Sequence, residues 1–256
     1  MKYRLFVVQL AFWLLISAVN ASTESGKSFE KDLKAYQKDK KDADTKMGKA
    51  FDRIAAQIRN NKAFPPETRN RHFMQIQAEK ERFTKSNVLP ESDDMLPATV
   101  SYLNELHDKR LKVQKTFDEA LSKAIGNQPE FNRISTAKDA WQADLPSRYE
   151  FGKNTEWHGN RTFENGTTVD FHVHVFNVQN NSFEGHLWQD VFTGGKSGWV
   201  YEGMMEGNAI VLKTTKMLHG NPRTMEFRGF VIGRRLVFTA IVNGKPAKDF
   251  ASVGKK

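Results

Sequence analysis

The stretches YEGMMEGNAIVL (201–212) and FRGFVIGRRLVF (227–238) decide the fold predicted for this chain. They can be aligned without a gap, and they share two glycines and one valine at equivalent positions. Each copy has the pattern of a strand, a tight glycine-bearing turn and a second strand. Two such hairpins in succession predict an antiparallel meander.

The same pattern extends outward over the carboxy-terminal hundred residues, where turn residues separate short runs rich in β-branched and aromatic residues. About eight antiparallel strands can close into a barrel, which removes the exposed sheet edges. We therefore predict a barrel similar to that of the lipocalins. Its eight strands are predicted at 155–162, 167–178, 183–191, 197–203, 208–217, 223–231, 235–242 and 247–253.

The composition changes near Asp144-Leu145-Pro146, because glycine is scarce before this point and frequent after it. Before it, apolar residues recur every three or four positions, which is typical of amphipathic helices. The chain is thus predicted to be α+β, with a helical bundle or antiparallel helical hairpin over 22–144 and a β-barrel-like domain over 145–256. The helices are predicted at 28–62, 67–85, 98–125 and 129–142.

Two of these helices resemble each other. AYQKDKKDADTKMGKAFDRI (35–54) aligns with SYLNELHDKRLKVQKTFDEA (101–120) without a gap, which suggests an internal duplication. Duplicated helices present similar apolar stripes and can pack as a bundle or a coiled coil. A homo-oligomer formed through these helices is one consequence.

The amino terminus has the features of a secretory signal peptide. Lys2 and Arg4 precede an apolar run at 5–19, and Val19-Asn20-Ala21 provides small residues for cleavage after Ala21. The run is shorter than the roughly 20 apolar residues of a membrane-spanning helix. We expect residues 1–21 to be removed and the mature chain to be secreted or periplasmic, with no membrane anchor.

Composition also limits the chemistry. The chain contains no cysteine, which excludes thiol nucleophiles, thiolate metal sites and disulfides. Its formal charge of +9 is spread over short pairs of basic residues instead of a stripe with stacking aromatics, so we expect no specific nucleic-acid partner. The motifs of serine hydrolases, phosphate-binding loops and dinucleotide folds are absent.

The stretch FHVHVFN (171–177) places His172 and His174 on one side of an extended chain. A two-residue turn at Asn180-Asn181 would mix apolar and polar residues on both faces of the hairpin that follows. A three-residue turn over Asn180 to Ser182 gives one clean apolar face, so it is the predicted register. The polar face would then carry His172, His174, Phe176, His186, Trp188 and Asp190.

That register predicts His172 opposite Asp190 and His186 diagonal to His174, all within reach of one ion. Three imidazoles can hold zinc with an open position for an activated water. Two other interpretations remain. The polar face can be a hydrated outer surface, or, in a polar barrel, it can line a ligand cavity whose apolar walls are Trp188 and Phe176.

Other candidates have simpler interpretations. Asp93 and Asp94 lie in the predicted linker at 86–97 and are expected to be exposed to solvent. Trp157, Trp199 and Tyr201 are expected to pack in the core or at its rim instead of forming a sugar-binding platform.

The order of segments resembles that of uncharacterised secreted bacterial proteins, which combine a signal peptide, a Lys/Asp-rich helical region and a glycine-punctuated meander. The meander (FEGHLW, YEGMMEGNAIVL and FRGFVIGRRLVF) also resembles the lipocalin and avidin superfamily of small-ligand barrels. Neither resemblance implies a particular ligand, cofactor or catalytic residue.

Three functional hypotheses follow. The first is a non-enzymatic exported protein whose helices serve spacing or association and whose barrel binds a small ligand or an envelope polymer. The second is a metal-binding protein or metal-dependent hydrolase that uses His172, His174 and His186. The third is a purely structural component of the cell envelope. The sequence assigns no catalytic, cofactor-binding or metal-binding residue outright.

Overall fold

The structure is a computed structural model, and it describes residues 24–146, 152–190, 195–219, 225–242, 245–247 and 249–255. The predicted signal peptide at 1–21 lies outside these residues. No helix within the described ranges is both long enough and apolar enough to cross a membrane.

The described chain begins with four helices that lie within a few residues of their predicted bounds. Pro66 opens the second helix at a position that needs no backbone N–H, and Asn87 ends it in the left-handed conformation (φ 53°). The Asn127 side chain accepts from the backbone N–H of Glu130 and so caps the start of the fourth helix. The helices are α1 (Glu24–Asn60), α2 (Pro66–Ser86), α3 (Leu96–Lys123) and α4 (Gln128–Ala143).

The chain divides into two compact units, and the first comprises residues up to Lys46 together with Asn104–Leu145. Its core is aromatic. The ring of Phe117 lies 5.0 Å from that of Phe29 and 5.6 Å from that of Trp141, and the Trp141 ring lies 6.0 Å from that of Tyr36.

The second unit comprises Met47–Leu103 and Pro146–Lys256. In its helices the Phe83 ring packs between those of Phe51 and Tyr102, at 6.0 and 5.6 Å.

Helix α1 contributes residues to both units, and its predicted amphipathic pattern is confirmed. Its buried members are Phe29, Leu33, Tyr36, Met47, Phe51, Ile54 and Ile58.

The rest of the second unit is a closed barrel of eight antiparallel strands, as predicted. Each long strand pairs with its neighbours in the chain, and β9 closes the ring by pairing with β1 and β7. The strands are β1 (Thr155–Thr162), β2 (Thr168–Gln179), β3 (Ser182–Asp190), β4 (Lys196–Glu206), β5 (Ala209–His219), β6 (Glu226–Ile232), β7 (Arg235–Val242), the two-residue β8 (Lys245–Pro246) and β9 (Phe250–Lys255).

Both copies of the repeated pattern form hairpins. β4 and β5 are joined by a turn at Gly207, and β6 and β7 by a turn at Gly233. The two glycines have φ of 60° and 54°, a conformation that side chains with a Cβ rarely adopt. The turn residues therefore determine where each hairpin folds back.

The barrel interior is filled by large apolar side chains from the alternate, inward positions of the strands. Trp157, Tyr201, Phe171, Phe227 and Leu187 are fully buried there. Trp157, Trp199 and Tyr201 thus pack in the core, as expected from the sequence. The interpretation of a polar interior walled by Trp188 and Phe176 is wrong, because the inward face is apolar.

One ion pair is buried at the end of the barrel where β1 finishes. The Arg161 guanidinium donates from Nε to Asp249 at 2.7 Å and from Nη1 to Gln189 at 2.7 Å. The side chains of Arg161 and Asp249 are 8% and 5% exposed. Because Asp249 also accepts from the Ala240 backbone N–H at 2.9 Å, both members of the pair are hydrogen-bonded.

At the opposite end of the barrel, the α2–α3 linker contacts the β6–β7 turn. A Cβ on Gly233 would clash with the Glu91 side chain, and the Arg234 backbone N–H donates to that carboxylate at 3.4 Å. Asp93 pairs with Arg235. Asp93 is exposed, as expected, but it also fastens the linker to the turn.

The linker is itself held by a buried carboxylate. Glu79 of α2 is 2% exposed and accepts from the backbone N–H of Ser92 at 2.9 Å and from its hydroxyl at 2.6 Å. It also accepts from the Glu91 backbone N–H at 3.2 Å. A buried carboxylate with three donors is satisfied without a cationic partner.

Candidate functional site

The outer face of the barrel carries a concentration of imidazole and aromatic rings on β1, β2, β3 and β5. It includes five of the seven histidines in the chain. We call this surface the histidine–aromatic strip. Its members are His158, His172, His174, Phe176, His186, Trp188 and His219.

The first row of the strip runs straight across five strands. His158 pairs with His172, His172 with Trp188, Trp188 with Gly198, and Gly198 with His219. Neighbouring strands lie about 4.8 Å apart, so the row spans about 19 Å perpendicular to the strands. Ring contacts occur at both ends of the row, between His158 and His172 and between Trp188 and His219, while the Trp188 ring also lies 6.3 Å from that of His186 in the second row.

Gly198 in this row makes room for an indole. A Cβ at this position would overlap three atoms of the Trp188 ring, so the ring lies directly on the Gly198 backbone. The Trp188 ring centroid is 6.0 Å from that of His219, with the planes tilted by 35°. Because Gly198 has no side chain, the Trp188 ring lies across β4 and reaches His219 on β5.

The second row lies one outward position along the strands, where Glu156 pairs with His174 and His174 with His186. Phe176 fits between the two imidazoles, with ring centroids 5.7 Å from His174 and 4.8 Å from His186. Both contacts are edge-to-face, the arrangement that aromatic rings favour.

The register of the β2–β3 hairpin arises differently from the prediction. The three-residue turn is wrong, because Gln179 pairs with Ser182 across a two-residue turn in which Asn180 has φ 55°. The register then shifts between Val175 and Asn177, at a β-bulge. With the two-residue turn alone, each face of the hairpin would carry both apolar and polar side chains. The extra residue of the bulge shifts the pairing by one, so that one face is apolar.

The bulge has its own support from inside the barrel. The buried hydroxyl of Tyr201 donates to the backbone carbonyl of His174 at 3.1 Å. It reaches that carbonyl past Gly185, where a Cβ would clash with both the hydroxyl and the carbonyl oxygen. Burial raises the pKa of Tyr201, so its hydroxyl remains a donor over the whole physiological range.

The observed register corrects two predicted neighbours. His172 lies opposite Trp188 and not opposite Asp190, which instead pairs with Lys196. His186 lies directly opposite His174 instead of diagonal to it. The prediction that these side chains share one outer face is confirmed by the half-buried, alternating pattern of β2 and β3.

The three candidate zinc ligands do not form a three-ligand cluster. His172 packs against His158, whereas His174 and His186 face each other in the second row. In the described ranges, no group of three or more His, Asp or Glu side chains is placed to hold a metal ion. The strip is better described as two separate histidine pairs.

The electrostatics of the pairs follow from their geometry. Desolvation lowers the pKa of His172, and the neighbouring His158 lowers it further. Desolvation also lowers the pKa of His186, with a second contribution from His174. Both imidazoles are therefore neutral at pH 7, and each retains one nitrogen that donates and one that accepts.

Sequence reasoning missed His158 and His219. His158 could have been found from the Asn165-Gly166 dipeptide, a turn signal between the strands predicted at 155–162 and 167–178. That hairpin pairs Thr162 with Thr168, and its register continues without a shift to the pair of His158 and His172. For His219 no comparable signal exists. The pairing of β4 with β5 shifts register twice, on either side of Trp199 and Val200, so the partner of His219 cannot be counted from the Gly207 turn.

Comparison with known proteins adds no family: no family model matches the chain, and neither does any curated protein at a significant level. The observed barrel is consistent with a lipocalin-like barrel in strand number, antiparallel order and closure. Function must therefore be argued from the strip and from the interior.

Proposed function

We propose that this chain is a non-catalytic exported protein whose barrel binds a polymer of the cell envelope through the histidine–aromatic strip. The observation that carries the proposal is the first row, in which rings on β1, β2, β3 and β5 are aligned across the closed barrel and the Trp188 ring covers the glycine of β4. Export is supported by the amino-terminal sequence at 1–21, which has the features of a signal peptide.

The filled interior favours recognition on the outside of the barrel. Barrels that carry small ligands keep a cavity between the sheets. Here Trp157, Phe171 and Phe227 occupy the centre and are each 0% exposed. Partly exposed aromatic rings gathered on the outer face form an apolar surface of the barrel, and such surfaces are typical of interaction sites.

The form of the strip favours an extended ligand. A line of rings about 19 Å long can contact several successive units of a chain. Apolar ring faces stack on the apolar faces of sugar rings, while imidazole nitrogens can donate to or accept from hydroxyl groups. A polysaccharide offers both kinds of surface, so it suits this strip better than a compact small molecule.

Co-sedimentation of the purified full chain with insoluble polysaccharides at pH 7.5 tests the proposal. Cellulose, chitin and peptidoglycan sacculi provide three different backbones. We expect at least one of them to retain the protein and the Trp188→Ala variant to lose about tenfold in affinity, as is common for a central aromatic contact.

The matched control is Met204→Ala. Met204 is also an apolar side chain on an outer strand position, it is 66% exposed, and it pairs with Ser182 and Val211 instead of with the strip. Its replacement should leave binding unchanged. Failure of all three polymers to retain the wild-type chain, or equal binding by wild type and Trp188→Ala, would contradict the proposal.

A further inference from the structure

We propose that the two histidine pairs make the strip pH-dependent: it holds an uncharged polysaccharide while the imidazoles are neutral and releases it when they are protonated. This inference rests on the proposed function and adds a ligand class and a means of regulation. It is carried by the cross-strand register, which places two histidines directly opposite each other in each row: His158 with His172, and His174 with His186.

The first pair is in direct ring contact. The ring centroids of His158 and His172 are 4.4 Å apart, with an interplanar angle of 76°. Two imidazolium cations at this separation repel each other strongly, especially where the rings are partly shielded from water. Protonation of both rings would therefore separate them and break the first row at its β1–β2 end.

Charged groups on three further strand positions face this pair. Asp170 and Asp190 favour protonation of His172, whereas Lys196 and His158 oppose it. Desolvation is the largest influence and also opposes it, so the balance lowers the pKa of His172. The neutral ring is thus the stable form at pH 7, and the charged form is reached only below the ordinary imidazole range of about 6.5.

Glu156, a residue of β1, is a carboxylate that lies close to both histidine pairs. Its Oε2 atom lies 3.3 Å from Nε2 of His158, and it pairs across the strands with His174. Its side chain is 52% exposed, so solvent weakens its attraction for a proton on either ring. One carboxylate shared between two rows compensates at most one of the charges that appear.

The second pair has fewer charged neighbours. His186 faces His174 on β2 and the uncharged Val200 on β4, and Lys216 lies one strand beyond Val200. Glu184 is the nearest acidic residue along β3, and it accepts a hydrogen bond from Asn177 at 3.1 Å. Desolvation lowers the pKa of His186, and the facing His174 adds to the effect.

The charges around the strip also indicate the ligand class. Glu156, Asp170, Glu184 and Asp190 border the rings, against Lys196 and Lys216. An excess of acidic groups disfavours a polyanion at neutral pH. On protonation each imidazole loses its hydrogen-bond acceptor and gains a hydration shell, so its contacts with hydroxyl groups and sugar faces weaken.

Two measurements on the full chain test the switch. The first is binding to insoluble cellulose between pH 7.5 and pH 5.0, where we expect affinity to fall about tenfold. The His172→Asn/His186→Asn double variant loses two rings of the strip and should bind more weakly than the wild type at both pH values. Because it cannot place a second charge in either pair, the ratio of its affinities at pH 7.5 and pH 5.0 should stay close to one. His107→Asn, which removes a histidine of α3, is the control and should follow the wild type.

The second measurement is an NMR titration of the imidazole Cε1 protons without any polymer. We expect His172 and His186 to titrate below the ordinary imidazole range of about 6.5. In His158→Asn, where the facing charge is gone, His172 should titrate at higher pH than in the wild type.

The outcomes separate the two proposals. If cellulose binds equally at pH 7.5 and 5.0, or if His172 titrates identically with and without His158, the switch is overturned and polymer binding stands. If chitin but not cellulose retains the protein, the pH series is run on chitin and the same criteria apply. If only sacculi retain it, the ligand carries ionised groups and the inference of an uncharged polysaccharide is overturned. If no polymer binds while the titrations shift as expected, the binding function fails although the pairs are coupled.

Discussion

The two faces of β1, β2 and β3 differ in what their side chains accomplish. On the inner face, Phe171 and Val173 are at most 1% exposed and touch other core residues. On the outer face, their chain neighbours His172 and His174 are half-buried, and their rings contact those of His158 and Phe176, two other members of the strip. One strand thus provides stability from one set of alternate residues and a recognition surface from the other.

The comparison teaches that the outer rings depend on the inner core for their positions but contribute little to it. A strand needs only its inward side chains to be apolar and well packed. The outward residues are free to be chosen for another purpose, and a run of rings at those positions is therefore informative about function.

The largest expected effect separates the two faces directly. Phe171→Ala removes a fully buried ring that contacts the rings of Phe227 and Phe238, at 5.5 and 6.3 Å, and should cost about 3–5 kcal/mol of unfolding free energy. His172→Ala, one residue along, should cost no more than about 0.5 kcal/mol. Urea denaturation followed by circular dichroism measures both, and similar losses for the two variants would refute the division between faces.

The buried ion pair is the polar counterpart inside the barrel. Arg161→Ala leaves the Asp249 carboxylate buried without its cation and should destabilise the fold by about 3–5 kcal/mol. Replacing both residues, as Arg161→Met/Asp249→Leu, should recover much of this loss because no charge remains buried. A double variant as unstable as the single one would show that the pair itself supplies the stability.

The bulge connects the two faces, so its loss should have an intermediate effect. Gly185→Ala forces a Cβ against the His174 carbonyl and should cost about 1–3 kcal/mol. Tyr201→Phe removes one hydrogen bond and should cost about 1 kcal/mol. In Gly185→Ala the NMR contacts between the Phe176 and His186 rings should also weaken, and unchanged contacts would mean that the bulge does not position the second row.

The sequence predicted the inner face better than the outer one, for a physical reason. Burial imposes alternation of apolar residues, and that pattern located all eight long strands within a few residues. It also selected the correct faces for Val173, Val175 and Leu187, although the turn proposed to achieve them was wrong. Burial determines which side chains face inward, but it does not determine whether a longer turn or a bulge brings them there.

The bulge could not be predicted, because Phe176-Asn177 contains no residue that specifically favours one. Its support comes from Tyr201, which is distant in sequence and reaches the carbonyl of His174 only in the folded barrel. The contact between Glu91 and the Gly233 turn is equally invisible in the sequence. Cross-strand neighbours such as His172 and Trp188 depend on such tertiary details, so the partners in the strip had to be read from the structure.

The smallest expected effect concerns the pH dependence of stability, and it comes from the outer face. The pKa of His172 and of His186 is lower in the folded chain than the ordinary imidazole value of about 6.5, mainly through desolvation. The unfolded chain therefore binds more protons in mildly acidic solution, and protonation favours unfolding. The contribution of these groups is fully present above about pH 6.5 and decreases as the pH falls below it.

Because both rings are partly exposed, this contribution should be small beside the loss caused by Phe171→Ala. Urea midpoints at pH 7.5 and 5.5 should differ less in His172→Asn/His186→Asn than in the wild type, since the unfolded state of the variant has two fewer imidazoles to protonate. His107→Asn provides the matched loss of a helical histidine. A double variant whose midpoint falls as steeply as that of the wild type would mean that protons taken up elsewhere govern acid stability, and that the strip can change charge without straining the barrel beneath it.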